Sequence, residues 1–271
     1  MTILQEMLSY SFISRALFVG IMVSLCSALL GVSLVLKRYA MIGTGLSNVG
    51  FGTLSIALAF GWAPLYFSIP IVIISSILLL KLNDNSMIKS DSAIALIGSS
   101  ALAIGVAVTS MTTGMSTDIC NYMFGSILAM SINDVYLSVI VSIFVIILFV
   151  LYYRKLFIVT FDEEFAKASG LKVKRYTNLI SILTAVTIVI GMRMMGTMLI
   201  SSIIIFPTLT SMRIFKNFRN VVISSAIISV FAFIIGIMIS YVYSISTGAC
   251  VVLVNLTLFL IATIAGKIMR V

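Results

Sequence analysis

Apolar residues run through this chain in long blocks broken by short polar stretches. The blocks lie near 15–36, 40–60, 65–80, 92–112, 135–153, 177–192, 194–212, 220–243 and 248–266. A helix that crosses a bilayer needs about 20 predominantly apolar residues, with about 17–25 as the working range. Seven blocks satisfy that length, while 65–80 and 177–192 hold only sixteen residues each. The pattern predicts an all-α integral membrane protein, a bundle of eight to nine transmembrane helices. Gly61-Trp62-Ala63-Pro64 reads as a tight uncharged turn between two spans, with Trp62 at headgroup level.

The polar stretches differ in character. Residues 154–176 are the most charged, with Arg154, Lys155, Lys167, Lys172, Lys174 and Arg175 beside Asp162, Glu163 and Glu164. This stretch predicts a short helix outside the membrane. Asp162 stands at its N-cap, Glu163 and Glu164 sit where a helix N-terminus favours anions, and Gly170 supplies a left-handed C-terminal cap. A short helix projecting from a chain otherwise built for lipid implies a partner on that side. Residues 113–134 are polar around Asp118 and Asn121, then apolar over Phe124 to Met130, which is too short to span. They predict a re-entrant segment or an external interfacial helix. Leu4 to Phe12 predicts an interfacial amphipathic lead-in. No cleavable signal is expected, because the stretch carries Gln5 and Glu6 and no basic leader.

Composition narrows the class. Hydrophobic residues make up 61% of the chain and charged residues 9%, where a soluble domain holds about a quarter charged. No polar block is long enough to fold separately, so 1–271 reads as a single transmembrane domain. The net charge of +9 does not indicate nucleic acid, because the cations cluster at span ends. With nine spans and an external N-terminus, fifteen of the seventeen basic residues lie in the cytoplasm and only Arg15 and Arg193 outside. That positive-inside asymmetry puts the 154–176 loop and the C-terminus in the cytoplasm of a plasma-membrane protein. Cys26 and Cys250 fall in apolar spans and Cys120 in a polar stretch, so they read as small buried hydrophobes rather than a disulfide framework.

Candidate chemistry is sparse. The chain has no histidine, which excludes His-based catalysis and His-ligated metal. It has no Gly-rich phosphate loop of the Lys-Ser/Thr type, so any nucleotide hydrolysis belongs to a separate chain. None of the eight acidic residues falls mid-span, which argues against coupling through a buried carboxylate. No catalytic residue, metal site or cofactor is predicted. The polar residues within the spans are uncharged. Gly43-Thr44-Gly45-Leu46-Ser47-Asn48-Val49-Gly50-Phe51-Gly52 holds four glycines in ten residues, which weaken a helix, and Thr44 and Asn48 share one face. Two readings stand side by side: a pathway-lining segment, or glycine packing with Asn48 bonded to a neighbouring helix. Asn255 is a second candidate of this kind. Met192, Met194, Met195 and Met198 surround Arg193 and Gly196, and filler is favoured there over a thioether metal site. Small residues recur every four positions at Ala16, Gly20, Ser24 and Ala28 and at Ala95, Ser99, Ala103 and Ala107, predicting tight helix packing. Pro207 predicts a kink in the seventh span.

With these residues in view, the chain resembles the permease subunits of the ABC-3 family of ABC-type metal importers, which carry zinc, manganese or iron. The resemblance runs through Arg15 to Gly20, Leu30-Gly31-Val32, Val35 to Arg38, Ile42-Gly43-x-Gly45-Leu46-Ser47 and Phe124 to Leu128. Phe161-Asp162-Glu163-Glu164-x-Ala166-x-x-x-Gly170 is similar to the family's cytoplasmic coupling helix. Val189 to Gly196, Phe206-Pro207 and Ser246 to Ala249 complete it. The resemblance implies a homodimer around one pathway, two cytoplasmic ABC ATPase subunits seated on the coupling helices, and an extracytoplasmic substrate-binding protein. Thr44, Ser47 and Asn48 would then line the substrate pathway. The family motif, however, carries Asp and His where this chain has Thr44 and Asn48, and neutral oxygens hold a transition metal less well. The expectation is a divalent-metal importer permease. The alternatives are an ABC importer of a non-metal or chelated substrate, and an ATP-independent secondary transporter.

Overall fold

The structure, a computed structural model, describes residues 11–84, 90–112 and 132–268. Among these residues it consists of helices: α1 (Ser11–Leu36), α2 (Ile42–Ala59), α3 (Pro64–Asp84), α4 (Ser90–Met111), α5 (Ile132–Phe161), α6 (Glu163–Ala168), α7 (Val173–Met195), α8 (Thr197–Ile214), α9 (Phe218–Tyr243) and α10 (Thr247–Ile268). All but the six-residue α6 are long and apolar enough to cross a membrane, so the described residues carry nine candidate spans. The two sixteen-residue blocks belong to helices of 21 and 23 residues, α3 and α7. Residues 4–10 of the N-terminal lead-in and most of the 113–134 segment, including Cys120, lie outside the described residues, while Ser11 and Phe12 open α1.

The largest departure from the hydropathy pattern is α5. The apolar block stops at Tyr153, but the helix continues to Phe161 and reaches 30 residues. At 1.5 Å per residue that is about 45 Å, well beyond a hydrocarbon core of about 30 Å. Arg154 and Lys155 end the lipid-compatible stretch without ending the helix. The Lys155 ammonium lies 5.7 Å from the centroids of both the Tyr152 and Tyr176 rings, a contact across α5 and α7 that favours the cation. The overshoot carries α6 clear of the apolar zone.

Helix α1 is the centre of the bundle and packs on α5, α7, α8 and α9. Its small-residue stripe is buried, with Ala16 5% exposed and Ser24 and Ala28 fully covered. At Gly31 the α8 backbone comes so close that an added Cβ would stand 2.2 Å from the Ile204 carbonyl oxygen. In a bilayer, where apolar burial gives helices no drive to associate, such close approach supplies the packing energy. The stripe on α4 behaves otherwise. Ala95, Ser99, Ala103 and Ala107 are all exposed, so they do not pack within the chain as expected. Helix α4 instead meets α2 through its opposite face, where Gly98, Ala101 and Gly105 lie against Gly45, Gly52 and Phe51.

Of the methionines around Arg193, Met192, Met194 and Met195 are buried packing residues, while Met198 is 53% exposed. A Cβ on Gly50 of α2 would touch Met192, one on Gly20 of α1 would touch Met195, and the Ser138 hydroxyl of α5 donates to the Met194 sulfur at 3.4 Å. These three side chains pack on three different helices, as filler does. Arg193 itself pairs with Asp134 at 2.8 Å, tying the last turn of α7 to the first turn of α5. Composition alone gave no reason to pair residues 59 positions apart. Cys26 and Cys250 are free and buried, as small hydrophobes are. Asn255 is buried on α10 and donates to the Val251 carbonyl at 3.0 Å, inside the chain.

Candidate functional site

Two regions contain the residues singled out from the sequence, and they sit at different depths. The first is the start of α2. Despite its four glycines, α2 is continuous from Ile42 to Ala59, and Gly45, Gly50 and Gly52 are buried contact points for Ile94, Met192 and Ala101. For the glycines, packing is the role the structure supports. Ser47 is 1% exposed; its hydroxyl donates to the Thr44 carbonyl at 2.9 Å and lies 3.3 Å from the Ser201 hydroxyl of α8. It therefore joins α2 to α8 inside the chain. Thr44 and Asn48 keep partial exposure, and Asn48 stands beside Gly98, whose added Cβ would lie 3.5 Å from the amide nitrogen. A cavity of about 330 Å³ lies one turn further along, lined by Val49, Gly52 and Thr53 with Ser75 and Ser100. No cluster of three or more His, Cys, Asp or Glu side chains exists among the described residues. What α2 offers an ion is hydroxyl and amide oxygen, ligands suited to weak and transient contact with a transition metal.

The second region is α6. Asp162 is extended, with φ −145° and ψ 98°, and its carboxylate accepts from the Phe165 backbone N–H at 2.9 Å, an N-cap as expected. At the other end Gly170 has φ +76°, and its N–H donates to the Lys167 carbonyl while Leu171 N–H donates to Ala166. That is the Schellman closure, and the left-handed residue it requires is the reason for glycine there. Six residues make too short a helix to persist on propensity, so the two caps and one anchor hold it. The anchor is Ala166, fully buried against Val159 of α5 and Val173 of α7. Its small side chain lets α6 lie flat across the two long helices. Every other residue of α6 is exposed, including Glu164, Phe165 and Lys167, and Phe161 just before it is 56% exposed. The result is a rigid knob presenting two aromatic rings within a charged rim.

Asp162→Ala should loosen this knob without unfolding the bundle. Loss of an N-cap costs about 1 kcal/mol, which is about fivefold in local opening. Hydrogen exchange in the 163–168 amides should accelerate by about that factor, and Asp162→Asn, which keeps the acceptor, should stay near the parent rate. Equal rates in all three proteins would show that the cap does not hold α6.

One contact of this region was not anticipated. The Lys37 ammonium, immediately after α1, lies 2.8 Å from Glu163 Oε1 and 2.9 Å from the Thr177 hydroxyl of α7. Its side chain is only 5% exposed, while that of Glu163 is 46% exposed. The sequence marked both residues, Glu163 as a helix-start acid and Lys37 as a span-end cation, without a signal that they meet.

Known proteins share this architecture. The chain is 28% identical over 257 residues to the manganese transport system membrane protein MntC of Halalkalibacterium halodurans, covering 95% of this chain and 88% of that protein. It is 28% identical to the manganese import system permease protein ScaB of Streptococcus gordonii, over 96% of this chain and 93% of that one. Identity to the high-affinity zinc uptake system membrane protein ZnuB of Haemophilus influenzae is also 28%, over 91% and 95% of the two chains. Among solved structures, PsaBC from Streptococcus pneumoniae in complex with Fab superposes with a TM-score of 0.86 at 26% identity, covering 96% of this chain and 94% of that chain. Residues 9–266 match the ABC 3 transport family, and this multi-pass membrane protein is a member of it.

Proposed function

We propose that this chain is the membrane-spanning permease subunit of an ATP-binding cassette importer for divalent metal, manganese or zinc, with no catalytic chemistry of its own. The observation that carries the reading is α6, a doubly capped knob exposed on five of its six residues in a chain without a nucleotide-binding motif. Relatives along nearly its whole length are membrane proteins of manganese transport and zinc uptake systems. Phe161, Asp162, Glu163, Glu164, Ala166 and Gly170 form the seat for a cytoplasmic ATPase subunit. Phe161, Glu163 and Glu164 face the partner, and Asp162, Ala166 and Gly170 set the shape. An extracytoplasmic binding protein delivers the substrate at the opposite face. The exposed small and hydroxyl side chains of α4, from Ser92 through Ala95, Ser99, Ala103 and Ala107 to Ser110, support a second copy of the chain across the pathway. Such a face lets backbones approach closely and gains little from lipid. Thr44 and Asn48 border the pathway and contact the passing ion through neutral oxygens, and Ser47 holds their helix to α8.

A second reading is favoured by one observation, the lack of carboxylate or imidazole on α2: the cargo passes as a chelate or an organic solute. Vesicles containing the complex with its ATPase and binding protein distinguish the two. ATP-dependent uptake of manganese or zinc is expected. Uptake that continues without ATP would end the importer reading, and ATP hydrolysis stimulated by the loaded binding protein without free-metal uptake would support the chelate.

A further inference from the structure

Movement of α6 has to reach α2 if it is to alter the pathway, yet these two helices share no extensive packing. A polar bridge runs from α6 to the turn that leads into α2. Lys37 is the C-cap of α1, and the turn it begins is a Schellman closure in which Arg38 N–H donates to Val35 and Tyr39 N–H to Leu34. Arg38 supplies the left-handed residue at φ +61°, a conformation that non-glycine residues hold at a cost. After Met41, α2 begins, and Thr44 lies seven residues beyond Lys37. The elbow 37–41 thus joins the central helix of the bundle to the segment that carries Thr44 and Asn48.

The Lys37 ammonium gathers three elements at this elbow. It stands where the α1 dipole favours a cation, and it donates to Glu163 in the first turn of α6, where the α6 dipole favours an anion. Its second bond goes to Thr177 in the second turn of α7. At 5% exposure it is shielded from the solvent and salt that weaken surface pairs. A charge held this way follows its counter-charge, because separating the two would leave the ammonium buried and unpaired.

We propose that Lys37 is a positioning residue, the tie through which displacement of α6 moves the α1–α2 elbow and with it the pathway residues of α2. This rests on the coupling reading of α6 given above and adds the route. The covalent connections of α6 run to α5 and α7, so the Lys37 bond gives the elbow a direct polar hold on α6 that chain connectivity does not.

The test compares Lys37→Met, which keeps chain length and removes the charge, with Lys37→Arg, which keeps the charge and the donors. Each variant is assembled with its ATPase and binding protein in vesicles, and metal transported per ATP hydrolysed is measured. Lys37→Met is expected to lower that ratio at least tenfold, with the ATPase subunit still co-purifying at parent stoichiometry, and Lys37→Arg is expected to stay within threefold of the parent. A parent ratio in Lys37→Met overturns the proposal. So does loss of the ATPase subunit from the complex, which would make Lys37 part of the docking surface instead. An equal loss of ratio in both variants also overturns it, since packing alone would then explain the effect. Failure of the underlying reading looks different: Phe165→Ala and Glu164→Ala in α6 would leave ATPase binding unchanged whatever Lys37 does.

Discussion

Gly31→Val is expected to prevent accumulation of a stable folded protein, and Gly31→Ala to lower stability by about 1–3 kcal/mol, the usual range for overpacking a filled core. The added carbon at Gly31 would meet the Ile204 carbonyl oxygen at 2.2 Å, the Ile204 carbonyl carbon at 3.0 Å and Thr208 Oγ1 at 3.1 Å. Two of these atoms belong to the backbone and cannot turn aside, so α1 and α8 would have to separate. That separation would disturb the helix packed against most of the bundle. Gly43 is the internal control. A Cβ there meets only the tip of Ile204 at 3.5 Å, an ordinary contact. Gly43→Ala should be tolerated and gains about 1 kcal/mol of helix propensity. Thermal unfolding of the detergent-solubilised chain measures both. A Gly31→Ala protein that melts with the parent would disprove the close approach of α1 and α8.

Glu163→Lys should abolish coupled transport, with metal uptake falling at least a hundredfold. The replacement puts a second ammonium where a carboxylate oxygen now lies 2.8 Å from Lys37. It also sets a cation in the first turn of α6, where the helix dipole opposes it. Attraction becomes repulsion beside a side chain that is 5% exposed and has Thr177 as its remaining acceptor. Glu163→Gln should be milder, since an amide oxygen still accepts from Lys37, and a loss of about tenfold or less is expected. Glu164→Lys separates local charge from the tie. Glu164 is exposed and makes no ion pair among the described residues, so uptake should fall only as far as ATPase docking weakens. Parent-level uptake in Glu163→Lys would remove Glu163 from the coupling pathway.

Much of α6 was legible because its determinants are local. Asp162, Glu163 and Glu164 ahead of Ala166 and Gly170 follow capping rules that act within a few residues, and the structure has both caps where the pattern put them. The spans were legible for the same reason, since a bilayer tests each segment on its own length and apolarity. Helix ends were read less well. The end of α5 was taken from charge, whereas the helix needs only its backbone bonds and continues past Arg154 and Lys155 to Phe161.

What the sequence alone determined is the class of protein, the number of spans to within one, the charged knob and its caps. These follow from the chain's exchange with solvent and from hydrogen bonds between near neighbours. Only the tertiary structure decided which small-residue face was buried, since α1 and α4 carry the same spacing and differ in what stands opposite them. It also decided that the glycines of α2 are contact points and that Lys37 meets Glu163 across 126 residues. Pairing between distant positions depends on how the helices are arranged, and a residue's type records only that it needs a partner, not where in the chain that partner lies.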